Sequence, residues 1–276
     1  MLKWQQFGLG GIMEHKQVEN LVNLYIKLAE KQFGKLPEQC YDVEIELVKS
    51  NSVNAKAHYA NFASNTLFIN PELVEDVEWA VFHEMEHIRT AVYPYVSAYQ
   101  TGLVVNFKHD NNKEICSALN EGLTEISVEH LLKRKNENPA SVELCNLTRQ
   151  FGVLLGLMDD NALLKIYKTD GYDELKSTFD SIMDIKSFNA FDGMQTALDS
   201  LNKSLVADLK LETANTLGDE PSTTEFSKQT KRLKRFVQNE YLLLLSLQKE
   251  KHKISDAEFT SRLKAMRKLA SSKASA

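Results

Sequence analysis

The chain has 276 residues, 43% of them hydrophobic, with a formal net charge of −5 and three cysteines. That is enough apolar material for one large or two modest cores. Leu242 to Leu245 is the longest purely aliphatic run, far too short to span a bilayer, and the opening Met1-Leu2-Lys3-Trp4-Gln5-Gln6 has no apolar h-region. Cys40, Cys116 and Cys145 are scattered and lack CxxC spacing, which excludes a disulfide scaffold and suits buried thiols in a reducing compartment. The expected address is cytoplasmic, although delivery by a specialised secretion system would leave no mark of this kind.

Helical spacing of Val18, Leu21, Leu24, Tyr25 and Leu28 predicts an opening helix from Gly11 to Phe33. Asp42 to Val48 then alternates apolar and acidic residues as a half-buried strand. Ala57 to Ala60 and Thr66 to Ile69 read as two short strands around the turn-forming Asn61 to Asn65. Thr66 to Ile69 is the candidate edge for pairing with an extended substrate. A helix follows, with Asn70 as its cap and Pro71 at its first position, running until Pro94. Val74, Val77, Val81, Met85 and Ile88 gather on one of its faces.

Within that helix stands His83-Glu84-Met85-Glu86-His87, an HExxH motif. Histidines four apart share a helix face and can grip one Zn²⁺, and Glu84 can act as general base on a zinc-bound water. A catalytic zinc takes three protein ligands and keeps one position open. The third comes from a second expected helix, Lys113 to Arg134, whose buried stripe is Ile115, Leu119, Leu123 and Ile126. Glu121 and Glu125 fall together on its other side, with His130 opposite Glu121 and read as structural. Glu121 is the expected ligand, and Glu125 a second-shell carboxylate able to accept from the outer nitrogen of a ligating histidine. His109, in a polar loop, is a rival third ligand in the manner of the three-histidine SprT-type proteases. Glu121 is preferred because Asn120 and Glu125 stand in register with it.

HExxH on one helix, followed about thirty residues later by Asn-Glu-x-x-x-acid on a second, resembles the gluzincin metallopeptidases, thermolysin-like proteases among them. The resemblance implies a zinc metallopeptidase in which His83, His87 and Glu121 match the metal ligands, Glu84 the catalytic base and Glu125 the second-shell acid. Glu125 stands where an Asp or Asn is more usual. The run Glu121 to Leu132 is also similar to the corresponding helix of cytosolic peptidases that cleave phage-type repressors. The implied fold is α+β and helix-rich, with a small zincin-type sheet, a metal-binding helix and a glutamate helix. The implied reaction is hydrolysis of a peptide bond in a protein or peptide substrate; the alternatives are a regulatory protease that acts on a transcription factor or DNA-bound protein, and a non-enzymatic protein with a structural HExxH.

Further helices are expected near Val142 to Met158, Asn161 to Lys168, Tyr172 to Met183 and Met194 to Glu212, with breaks at Asp170-Gly171 and Asp192-Gly193. The expected division is a domain over 1–216, a linker over 217–225 around Gly218 and Pro221, and a basic helical segment over 226–276. From Phe226 onward 13 Lys and Arg face 4 Asp and Glu, a balance of +9 against −14 for the residues before. Such a segment can dock on the acidic body or meet nucleic acid or another anionic surface, and a helical hairpin with solvated lysines is the preferred reading. Ser255 and Glu258 form the capping box of its last helix.

Overall fold

A computed structural model of the chain describes residues 14–48, 58–61, 64–95, 98–101, 104–107, 113–167, 171–183, 189–215 and 227–272. It divides into two compact units, Met1–Arg89 and Thr90–Ala276. The expected linker 217–225 and His109 lie outside the described residues. No described helix is long and apolar enough to cross a membrane. The α+β, helix-rich class holds: helices dominate, and the strands form two small sheets.

The first unit opens with α1 (His15–Phe33), whose first turn is closed by the Gln17 side chain accepting from the Glu14 N–H at 3.0 Å. Val18, Leu21, Val22, Tyr25 and Ala29 are its buried residues, so the buried stripe lies slightly round from the expected one, with Leu24 and Leu28 at its margin. Gly34, at φ +84°, ends the helix in a conformation that glycine adopts without steric cost. β1 (Glu44–Leu47), β2 (His58–Asn61) and β3 (Thr66–Ile69) follow, in the sheet order β1-β3-β2. β1 runs parallel to β3 and β2 antiparallel to it. This corrects the expectation that Thr66 to Ile69 is an edge: β3 is paired on both flanks and is the central strand. Its composition explains the position, because Leu67 and Ile69 are fully buried and Phe68 stacks on Tyr59 across the β2 pair at 4.5 Å.

α2 (Val77–Thr90) is shorter than expected at both ends. Asn70 does act as a cap, but of a single turn: its Oδ1 accepts from the Glu72 N–H at 3.1 Å and its carbonyl from Leu73 and Val74. The helix proper begins where the Asp76 carboxylate accepts from the Trp79 N–H at 3.0 Å, so the later cap wins. At the far end the chain turns to strand at Ala91, before Pro94 is reached.

The second unit opens with an antiparallel meander that the periodicity did not announce: β4 (Ala91–Tyr95), β5 (Ala98–Thr101), β6 (Val104–Phe107) and β7 (Lys113–Ile115), paired in chain order. Pro94, which has no N–H to give a ladder, sits where the β4–β5 register shifts between Val92 and Tyr95. Seven helices follow among the described residues: α3 (Ser117–Leu132), α4 (Pro139–Leu154), α5 (Asp160–Leu164), α6 (Gly171–Met183), α7 (Asn189–Asn215), α8 (Lys228–Glu250) and α9 (Asp256–Ser271). The helix expected from Lys113 starts four residues later, because β7 takes Lys113 to Ile115 and Cys116 adopts φ +62°. The break expected at Asp192-Gly193 does not occur; α7 runs through it, held on either side by the buried Phe191 and Met194. Gly171 does mark a boundary, at the start of α6.

One hydrophobic core unites α3 to α9, from Leu123 and Leu147 to Phe179 and Leu201. α8 and α9 belong to it through Val237, Tyr241, Leu245 and Met266. The basic segment is therefore a packed pair of helices, with Ser255 capping α9 by accepting from the Glu258 N–H at 3.2 Å. Arg262 is buried in this packing, and it and Gln248 both donate to the Leu154 carbonyl at the end of α4.

Candidate metal centre

From Trp79 to Thr90 every residue of α2 is buried, so the polar side chains on it must find partners. His83 and His87, one turn apart, aim their Nε2 atoms at the same point, 3.1 Å from each other. Two nitrogens bound tetrahedrally to one zinc at about 2.0–2.1 Å stand roughly 3.3 Å apart, so this separation is of the size such a ligand pair requires.

Glu84, between them in sequence, turns to the sheet. Its Oε1 lies 2.7 Å from Nδ1 of His58 on β2. Burial pushes the carboxyl up, but the His58 hydrogen bond and the charges of His83, His87 and His58 outweigh it, leaving Glu84 below the usual glutamate range. Its surroundings favour the carboxylate form. Glu86, two residues on, has different company. Its carboxylate takes the Tyr25 hydroxyl at 2.8 Å and Nη2 of Arg89 at 2.7 Å, and Arg89 in turn lies over the Phe33 ring at 4.3 Å. This cluster ties α2 to α1, with Tyr25 meeting Phe82 edge-on at 5.4 Å.

α3 carries the remaining candidates. No side chain of its own caps its start; instead the Asp199 carboxylate on α7 accepts from the Ala118 N–H at 2.7 Å. Glu121 is half-buried and Glu125, one turn on, is buried. Between them, Gly122 lets α4 approach closely, since a Cβ there would lie 1.9 Å from Thr148 Oγ1. The Oε2 of Glu125 accepts from the Asn136 amide at 2.7 Å. Farther along, Glu129 joins Lys135 and Arg149, the latter at 2.6 Å.

One ligand atom from each of His83, His87 and Glu121 lies within 4.8 Å of the others, a group able to hold a metal ion. Of the residues expected from the sequence, these three come together in that group, and Glu84 is buried beside the two histidines on α2. The three cysteines are buried and form no disulfide, and burial pushes the Cys40 thiol up to about 12, far from thiolate character at neutral pH. Sequence reasoning missed His58 altogether. Its only local signal is its place in a short strand, and its role rests on a partner 26 residues away.

No protein-family model matches the chain, and neither a curated protein nor a solved structure matches it.

Proposed function

We propose that the protein is a zinc-dependent peptide hydrolase of the gluzincin type, in which His83, His87 and Glu121 hold the metal and Glu84 is the general base. The convergence of those three ligand atoms carries this reading. Two imidazole nitrogens and one carboxylate oxygen are the donor set of open catalytic zinc sites. When bound, zinc supplies a Lewis acid that polarises a carbonyl oxygen and lowers the pKa of a coordinated water.

The remaining work belongs to the chain's own residues. Glu84, held ionised, accepts a proton from the attacking water at a carboxylate oxygen. It then delivers that proton to the amide nitrogen as the C–N bond breaks, so the carbonyl carbon gains the oxygen and the amine leaves neutral. Burial of Glu84, His83 and His87 keeps the site poor in bulk water, which strengthens each of these charge interactions. Glu125 is the carboxylate we assign to the outer shell, oriented by the Asn136 amide that donates to it.

Elemental analysis of the purified protein beside Glu121→Ala and His109→Ala tests the ligand set. Zinc near one per chain in the wild type and in His109→Ala, and its loss in Glu121→Ala, is the expected result. Glu84→Gln is expected to keep the zinc and lose about 10²–10⁴-fold in cleavage rate. A Glu84→Gln variant that cuts as fast as wild type ends the mechanism.

A further inference from the structure

Glu84 has a partner that the HExxH motif does not specify. On α2 itself its neighbours one turn away are Ala80, Val81, His87 and Ile88. Only His87 among them is polar, and its Nε2 is directed at His83. A glutamate has three side-chain torsions, and the hydrogen bond described for this one comes from outside its own helix. The restraint comes from the sheet. His58 opens β2 and is paired in register with Ile69 of β3, as Ala60 is with Leu67. Paired residues leave a sheet on the same face, and here that face carries the fully buried Leu67 and Ile69. From it the His58 ring meets Glu84 Oε1 through Nδ1 at 2.7 Å and stands edge-on to His83, centroids 5.5 Å apart. A carboxylate only accepts, so Nδ1–H is the donor. The side chain of His58 is 29% exposed and that of Glu84 8%, so the ring lies between a buried carboxylate and solvent.

We propose that His58 is a positioning residue for Glu84: it binds one carboxylate oxygen and so turns the other toward the attacking water. The inference rests on the hydrolase reading above. A strand is the right support for this task, because β2 is held by its ladder to a central strand that is buried at Thr66, Leu67 and Ile69, and a ring has only two torsions to fix. His58 is outside the group of converging ligand atoms, so its loss removes a restraint on the base and not a metal ligand.

The test uses full-length, zinc-loaded wild type, His58→Asn and His58→Ala. Asparagine returns an N–H donor near the place of Nδ1, and alanine returns nothing. Each protein is incubated with a proteome-derived peptide library. One cleaved peptide is resynthesised with a fluorophore for kcat and KM, and zinc is measured alongside. His58→Ala is expected to hold zinc as wild type does and to lose about 10- to 100-fold in kcat with KM little changed, while His58→Asn recovers most of the loss. Before zinc loading, the imidazole nitrogen spectrum should assign the Nδ1-protonated tautomer to His58 and lose that signature in Glu84→Ala. Wild-type kcat in His58→Ala, zinc lost together with activity, an Asn variant no better than Ala, or a His58 tautomer indifferent to Glu84 each overturns the assignment. A wild type that binds zinc and cleaves no peptide overturns the hydrolase reading itself, and that failure is read in the unmutated protein.

Discussion

Glu84 and Glu86 stand two residues apart on one buried helix and have opposite surroundings. Glu86 is met by the guanidinium of Arg89 and the hydroxyl of Tyr25, and Glu84 by imidazoles: a hydrogen bond from His58, with His83 and His87 as charges nearby. A guanidinium does not give up its proton in a protein, so the Glu86 side is a fixed ion pair that joins α2 to α1. The Glu84 side has no such permanent cation: its hydrogen bond comes from an imidazole on another element. Among buried carboxylates, the kind of partner beside the group distinguishes scaffold from chemistry more clearly than burial does.

That contrast is broken most sharply by making one change at both positions. Glu86→Gln leaves Arg89 buried without its counter-charge and is expected to cost about 3–5 kcal/mol in folding stability, read by denaturant unfolding. Glu84→Gln is expected to cost less than about 2 kcal/mol by the same measurement, while lowering the cleavage rate about 10²–10⁴-fold. Equal losses of stability would erase the distinction. Next in size, Tyr25→Phe takes one donor from Glu86 and is expected to cost about 1–2 kcal/mol, with zinc content unchanged.

The smallest effect lies in the second unit, where Arg149 joins Asp160 at 2.8 Å and Glu129 at 2.6 Å in a second fixed-cation pair. Burial pushes Asp160 up, but the hydrogen bonds and charge of Arg149 outweigh it and hold the carboxyl below its usual value. A depressed carboxyl stabilises the fold above its unfolded pKa, and that contribution disappears as pH falls through the folded value. Asp160→Asn should therefore lie about 1 kcal/mol below wild type near neutral pH and converge with it in acid, measured as unfolding midpoints across that range. A gap that persists at the acid end would mean that Asp160 acts by packing alone.

The parts legible in the sequence are those whose cause is local. β3 and the end of α1 at Phe33 were readable to the residue and α6 to within one, because turn residues and helical period need only neighbours, whereas α1 starts at His15 and not at Gly11. The meander β4–β7 was missed at both ends because Ala91 to Tyr93 continued the expected HExxH helix and Lys113 to Ile115 opened the expected glutamate helix. The misplaced start of α2 came from two competing caps, Asn70 and Asp76, each of which bonds a backbone N–H. Sequence alone does not rank them.

By itself the sequence determined that His83 and His87 share a helix face and that Glu121 and Glu125 lie one turn apart on another helix, since 3.6 residues per turn suffices for both. Only the tertiary structure decided that β3 is central, that α8 and α9 share a core with α3, and that Glu84 answers to His58 while Glu86 answers to Tyr25 and Arg89. The physical reason is range. A helix face follows from adjacent residues, whereas pairings 26 and 61 residues apart exist only once packing has closed the chain between them.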